Sequence, residues 1–359
     1  MREVAELNGD GIAAELRDAI HALNDALGNL IAFRPVDWTV DRREASSTAL
    51  DEGIELTRAL GAAMKYPTVT QTDSPNQVLR DKLDLAVIHR PCRTYPGVSS
   101  NYTGKIDLHV VRVATGGTYE DAGKRLGYHS AVSIRVMERT PVEHAAHFAF
   151  RLAERQRHSV VSTSKYTIQR AADGLFEEVV DEVAAEYRNT EHHRELFDSL
   201  LAKLIMNPHR YDVIVTPNEY GDFLSDAVYG LIGSIGLGAS ASYAFTPSHQ
   251  PSIGIFDPAG GTAPDIAGRG IANPSGAIEA FGYLLEYCGH HDMGRRLVDA
   301  VHDCIAVGEK TGDLGGTLNT MEFTNAVITR ALPKARSCSC VRAPPKRENA
   351  RKTSVAFPA

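Results

Sequence analysis

The chain has 359 residues, of which 43% are hydrophobic and 23% are charged, as is typical of a globular protein with a substantial core. Its net charge of −7 divides unevenly, because residues 333–359 hold seven basic side chains against one acidic one and the remainder carries −13. An acidic body argues against a nucleic-acid partner, and the absence of a long apolar run argues against a membrane-spanning segment.

Cysteine usage and the start of the chain predict the cellular location, and the composition of the last residues predicts that they are disordered. Five cysteines without a CxxC pair, and a start without the apolar segment of a signal peptide, predict a reduced, cytoplasmic protein. Residues 333–359 have no apolar periodicity and are rich in Pro, Ser, Lys and Arg, which predicts a basic disordered tail.

Strand-like and helical patterns alternate along the chain, which predicts an α/β fold. A glycine turn at residues 8–11 precedes the first helix, and Pro91 is expected to close the first clear strand. In chain order the patterns predict a helix over 13–27, strands over 83–89 and 106–113, a helix over 143–157, a strand over 159–164, and helices over 173–187 and 197–206.

Residues 211–226 predict a buried strand, a turn and a helix that opens with two carboxylates. A spacing of four residues places Asp222 and Asp226 on one helical face, where both could hold one hard divalent cation. In the alternative interpretation Asp222 caps the helix and Asp226 is solvated, because a helix N-terminus favours acidic residues and disfavours a cation. The spacing by itself favours this second interpretation.

Other motifs offer little competing chemistry. The sequence has neither a phosphate-binding P-loop nor a serine-nucleophile motif. Residues 236–241 match GxGxxA formally, but they follow a helix-like segment and are interpreted as a helix end and loop. His144 and His147 lack an HExxH frame and are interpreted as surface histidines rather than zinc ligands.

Four motifs give the chain a family resemblance: GDGI at 9–12, YGDFLSD at 220–226, GGTAPDIAGRGIANP at 260–274 and DLGG at 313–316. Together they resemble the β-decarboxylating dehydrogenases, the isocitrate and 3-isopropylmalate dehydrogenase family, over residues 5–330. The resemblance implies a two-lobed α/β fold with a mixed central sheet of about ten strands, which differs from a standard Rossmann fold. It assigns residues 1–96 and 233–332 to a large coenzyme-binding lobe and 97–232 to a small dimerisation and metal-site lobe.

The resemblance also implies the catalytic groups. A Mg²⁺ or Mn²⁺ ion would be held by three carboxylates: Asp198, Asp222 and Asp226. Lys165 matches the base that takes the hydroxyl proton during hydride transfer, and Tyr119 matches the acid that protonates the enol carbon after CO₂ leaves. In the family, the residues in the places of Lys165 and Asp198 reach the neighbouring subunit's site, which implies a homodimer with shared sites.

A small anionic hydroxy acid is the implied substrate. Three arginines match the family's carboxylate-binding positions: Arg80, Arg90 and Arg112. Isopropylmalate dehydrogenases place leucines where this chain has Asn76 and Gln77, and burying these amides against an isopropyl group would cost about 1–3 kcal/mol each. Ser74 and Asn76 resemble the isocitrate type, so isocitrate or a close anionic analogue is expected.

The glycine-rich motif and the asparagine near its end are the implied coenzyme site: Gly261, Thr262, Ala263, Pro264, Asp265 and Asn273. Asp265 would accept hydrogen bonds from both adenosine ribose hydroxyls, whereas a 2′-phosphate would meet like charge. NAD is therefore favoured over NADP.

Several positions depart from the family pattern and leave alternatives open. Gly260 replaces a histidine that packs on adenine, and Val113 and Ala114 replace a Glu–Asn pair after the third arginine. One alternative is a specialised dehydrogenase for homoisocitrate or for a phosphonate analogue of the phosphonomethylmalate type. Another is a non-catalytic regulatory subunit of an isocitrate dehydrogenase, against which the retained Tyr119, Lys165 and metal carboxylates argue.

Overall fold

The computed structural model describes residues 1–71, 74–100, 102, 105–156 and 159–332. The predicted basic tail, residues 333–359, lies outside the described residues. Within those ranges, no helix is both long and apolar enough to cross a membrane.

The described strands form one ten-stranded sheet and a separate hairpin. The strands are β1 (Arg2–Leu7), β2 (Ile31–Val36), β3 (Ala62–Lys65), β4 (Val87–Arg93), β5 (Asp107–Val113), β6 (Lys124–Arg125), β7 (Ala131–Val132), β8 (Val160–Ser164), β9 (His192–Leu196), β10 (Val213–Thr216), β11 (Ala239–Phe245) and β12 (Pro251–Pro258). The α-helices are α1 (Ala13–Ala26), α2 (Val40–Ala45), α3 (Ala49–Leu60), α4 (Pro75–Lys82), α5 (Arg139–Gln156), α6 (Ala172–Ala184), α7 (Phe197–Met206), α8 (Asn218–Ile232), α9 (Ser275–Tyr287), α10 (His291–Ala306) and α11 (Thr320–Ala331).

The large sheet is mixed, with the order β2-β1-β3-β12-β11-β4-β5-β10-β8-β9. Its central pairs β12–β11, β11–β4 and β4–β5 are antiparallel, and the six outer pairs are parallel. The outer pairs have the crossover connections that parallel strands require, and most of these contain helices. The predicted α/β class with a mixed sheet of about ten strands is confirmed.

The parallel pair β5–β10 positions the candidate site. Thr216, the last residue of β10, pairs with Arg112 of β5, and α8 begins two residues later at Asn218. All four residues of β10 are buried, as expected for an inner strand covered on both faces. The side chain of Arg112 therefore lies beside the first turns of α8.

Two local predictions were wrong for identifiable reasons. The helix that bears the carboxylates begins at Asn218, so Asp222 and Asp226 lie inside it rather than at its opening. Strand β4 continues through Pro91. Among the described pairings, β11 pairs with β4 only at residues 87–89. Pro91 lies beyond the last of these residues, so no hydrogen bond to β11 is lost through its missing N–H.

Three histidines form a cluster between α5 and the turn after β11. Nδ1 of His144 lies 2.9 Å from Nδ1 of His249, and the rings of His147 and His249 stack with centroids 4.2 Å apart. His144 and His147 are both buried, so their interpretation as surface histidines was wrong. Burial, and then the charge of the neighbouring histidine, lowers the pKa of each to about 4, while Arg151 and Glu186 also face His147.

We expect acid to destabilise the fold through His144. Its pKa is lower in the folded chain than in the unfolded chain, so the unfolded chain binds the proton first as pH falls from about 6.5 towards 4. The stability present above this window should be lost through it. Melting temperatures of His144→Gln should fall less than those of wild type between about pH 7 and pH 4.5. The exposed control His193→Gln should follow wild type, and equal slopes in all three proteins would contradict the assignment.

Candidate active site

A buried guanidinium and a helical carboxylate form the centre of the site. The side chain of Arg112 is 2% exposed, and its Nη1 donates to Oδ1 of Asp222. Its Nε donates to Oδ1 of Asn218 at 2.9 Å, so both acceptors come from α8. A Cβ on Gly221 would lie 2.6 Å from Cβ of Arg112, so the arginine packs against a helix face that must be glycine.

The two helical carboxylates share a second arginine. Nη1 of Arg90 lies 3.5 Å from Oδ1 of Asp222 and 3.5 Å from Oδ1 of Asp226, and it donates to Oγ of Ser225 at 2.6 Å. The predicted common helical face is therefore present. Because the pair lies one turn inside α8, the positive end of the helix dipole disfavours a cation less than the sequence suggested.

Tyr119 completes the contacts of Asp222. Its hydroxyl donates to Oδ2 of Asp222 at 3.3 Å, and the guanidinium carbon of Arg112 lies 5.8 Å from the centre of its ring. Burial, and then the charge of Asp222, raises the pKa of Tyr119. The phenol carries a proton at neutral pH, and it lies where it could donate that proton into the site.

Arg112, Tyr119 and Asp222 border one cavity of about 720 Å³. It is lined by six of the predicted site residues: Ser74, Asn76, Arg80, Arg112, Tyr119 and Asp222. Burial lowers the pKa of Arg112 to about 9, with Arg80 the next contributor. Burial and the charge of Arg90 also lower the pKa of Arg80. Crowded guanidiniums of this kind attract an anion, which relieves their mutual repulsion.

A smaller cavity of about 190 Å³ adjoins the first and shares Asn76 and Arg80 with it. Its lining includes two further predicted site residues and three that were not predicted as site residues: Arg90, Gly261, Lys65, Ser240 and Asp257. The Lys65 ammonium is buried 3.8 Å from Oδ2 of Asp257. Burial lowers the pKa of Lys65 and raises that of Asp257. The available signal for Lys65 was a lysine that ends an otherwise apolar strand.

Lys165 and Asp198 lie together, away from the pair on α8. Nζ of Lys165 donates to Oδ1 of Asp198 at 2.5 Å. Among the described residues, no three His, Cys, Asp or Glu side chains are grouped to hold a metal ion. One protomer thus brings Asp222 and Asp226 together without Asp198, whose role in a neighbouring site stays a prediction.

The glycine-rich loop contacts two of the other motifs. The carbonyl of Thr262 accepts from the amide of Ile12 at 3.0 Å, and Gly11, with φ of +62°, leaves no room for a Cβ beside that carbonyl. Nδ2 of Asn273 donates to Asp313 at 2.9 Å. The other predicted coenzyme residues are exposed or half-buried on the same loop: Gly261, Ala263, Pro264 and Asp265.

Known proteins share this sequence pattern and architecture. Residues 3–327 match the family model described as isocitrate/isopropylmalate dehydrogenase. The chain belongs to this family. It is 34% identical to the 3-isopropylmalate dehydrogenase of Archaeoglobus fulgidus, over 92% of this chain and 99% of that protein. It is also 34% identical to a probable NAD isocitrate dehydrogenase alpha subunit of Caenorhabditis elegans, with 92% of each chain covered.

A solved relative supports the same fold. The crystal structure of isocitrate dehydrogenase from Methylococcus capsulatus superposes with a TM-score of 0.85 at 31% identity, covering 92% of this chain and 99% of that one. The relatives of this chain include both isocitrate and isopropylmalate dehydrogenases. Family membership therefore identifies the type of reaction, whereas the relatives differ in their substrates.

The close packing of Arg112 against α8 predicts different effects at two glycines of that helix. Gly221→Ala should destabilise the fold by about 1–3 kcal/mol, because its methyl group would overlap the arginine side chain. Gly230→Ala, whose Cβ would have no neighbour within 4 Å, should be neutral or stabilising by up to about 1 kcal/mol. Urea denaturation of both variants measures the difference, and equal stabilities would refute the packing.

Proposed function

We propose that this chain is an enzyme that oxidises and decarboxylates a 3-substituted malate and transfers the hydride to NAD. The observation that supports this most is the cluster around Asp222, where Arg90, Arg112 and Tyr119 all contact one carboxylate. Guanidinium forks bind the carboxylates of an anionic acid, and the phenol supplies a proton.

A Mg²⁺ or Mn²⁺ ion fits the residues present. Asp222 and Asp226 present hard oxygen donors within 3.5 Å of one Arg90 nitrogen, so a divalent cation would replace a positive charge that the pair already binds. Asp198 of a neighbouring subunit would be the third carboxylate. The cation would polarise the substrate hydroxyl and stabilise charge on its oxygen during decarboxylation.

The chain's own residues then divide the proton transfers. Lys165, supplied by the neighbouring subunit as a neutral amine, takes the proton of the substrate hydroxyl as hydride leaves carbon for NAD. Tyr119 returns a proton to the carbon that has lost CO₂. The hydrogen bond from the Tyr119 hydroxyl to Asp222 holds this proton donor in the site. The role of Lys165 requires a homodimer, with residues 97–232 as its dimerisation lobe and the site between that lobe and residues 1–96 and 233–332.

Ser74 and Asn76 line the large cavity and favour a polar or anionic 3-substituent, with isocitrate as the first substrate. Homoisocitrate or a phosphonate analogue is the second candidate. The smaller cavity beyond Asn76 and Arg80 contains the ammonium of Lys65. It would suit a substrate whose 3-substituent is longer or more highly charged. NAD is preferred to NADP because Asp265 is exposed on the coenzyme loop and would repel a 2′-phosphate.

Turnover with purified protein tests the proposal. With Mn²⁺, NAD and isocitrate the chain should form NADH, EDTA should abolish the rate, and NADP should be slower. Asp222→Asn should lower kcat/KM about 100-fold or more, since a neutral amide binds the cation poorly. Asp18→Asn, on an exposed face of α1, should match wild type.

Each possible failure has a separate meaning. No NADH from isocitrate, homoisocitrate or the phosphonate analogue would refute the enzyme proposal and favour a regulatory subunit. Full activity of Asp222→Asn would refute the metal assignment. A preference for NADP would refute the role of Asp265.

A further inference from the structure

Arg135 lies in a buried ionic cluster that adjoins the candidate active site. Its side chain is 10% exposed, and its Nε and Nη2 donate to Oδ1 of Asp173 at 2.9 and 2.7 Å. Its Nη1 forms an ion pair with Glu219. The two carboxylates are 0% and 5% exposed. Buried charges require partners, so the three side chains depend on one another.

Asp173 connects this cluster to the predicted base. Its Oδ2 accepts from the backbone amide of Lys165 at 2.7 Å, and Asp173 itself lies in the first turn of α6. The bond fixes the backbone from which the lysine side chain extends. That side chain in turn donates to Asp198.

Glu219 connects the cluster to the loop of the predicted acid. Its Oε2 accepts from the amide of Thr118 at 3.4 Å, one residue before Tyr119. Gly117 has φ of +70°, and a Cβ there would lie 1.9 Å from the same oxygen. Gly117 also exchanges backbone hydrogen bonds of 2.7 and 3.1 Å with Val136. The acid loop is thus fitted to this carboxylate.

Tyr220 provides the third connection. The guanidinium carbon of Arg135 lies 4.9 Å from the centre of the Tyr220 ring. That ring stacks on Phe197 with centroids 4.5 Å apart and an angle of 17°. Phe197 immediately precedes Asp198, the predicted third metal carboxylate. The start of α7 therefore packs against the same cluster through Tyr220.

We propose that Arg135 is a positioning residue. It fixes the positions of the predicted acid, the predicted base and the predicted third metal carboxylate relative to one another. It acts through Glu219, Asp173 and Tyr220, and the inference rests on the function proposed above. Arginine suits the position because its planar fork can bond two carboxylates at once, which a lysine ammonium cannot do in the same geometry. In a dimer with shared sites, this guanidinium links each protomer's own Tyr119 to the base that it lends its partner.

The test compares the same substitution at two arginines that each bond two carboxylates, one in the interior and one on the surface. Arg135→Lys keeps the buried charge and loses the fork. Arg139→Lys makes the same change at an arginine that pairs with Glu178 and Glu182 on the surface. Arg135→Lys should lower kcat about 10-fold to 100-fold and change KM for the acid and for Mn²⁺ less than about threefold, because small misplacements of catalytic groups chiefly slow the chemical step. Arg139→Lys should match wild type.

Amide hydrogen exchange provides a readout that does not depend on turnover. Arg135→Lys should speed exchange in residues 116–120 and 163–168 together, and the isosteric Glu219→Gln should speed it in 116–120 alone. Exchange and kcat at wild-type values in Arg135→Lys would overturn the proposal, as would faster exchange spread evenly over the chain. A wild-type protein inactive with every 3-substituted malate would refute the proposed function, and the exchange pattern would still decide the positioning network.

Discussion

The buried guanidinium of Arg112 sets the geometry on which the site depends. A charge removed from water at the end of β5 needs acceptors close by, and α8 supplies them as the amide of Asn218 and the carboxylate of Asp222. The helix can approach closely enough because Gly221 presents no side chain. One electrostatic requirement therefore accounts for an amide, a glycine and a carboxylate within five residues of α8. The same pairing fixes the carboxylate that Arg90 and Tyr119 also contact.

A second arginine, which is largely buried, pairs with the same helix. Arg135 pairs with Glu219 in the first turn of α8, while Arg112 pairs with Asn218 and Asp222. Two guanidiniums near a helix N-terminus would repel its positive end, and the acidic residues there offset both charges. The first turns of α8 are thus held by two ion pairs, one to Arg112 and one to Arg135.

Local geometry was predictable from sequence, and long-range contacts were not. The common face of Asp222 and Asp226 follows from helical periodicity, and α7 has the predicted bounds for the same reason. The family motifs supplied the mixed sheet. The cluster of Arg135, Asp173 and Glu219 joins residues far apart in the chain, and each of them is indistinguishable from a surface charge until the fold brings them together. The buried histidines were missed because a distant hairpin turn covers them, and Lys65 because a single strand-end lysine carries no periodic signal.

The arrangement of charges links the two ligands that the proposed reaction requires. Arg90 and Arg112 contact the carboxylate oxygens that a divalent cation would also bind. If Asp222 and Asp226 held a cation, these guanidiniums would lose their aspartate partners and would be available to an anionic substrate. The pKa of Arg112 is lowered chiefly by burial and next by the charge of Arg80, so an anionic acid would offset positive charge that is costly at this position. Coupling between two binding sites is reciprocal. If the cation strengthens the binding of the acid by some factor, the acid must strengthen the binding of the cation by the same factor. Under the proposed function, competition between the arginines and a cation for one pair of aspartates would make the cation and the acid bind cooperatively.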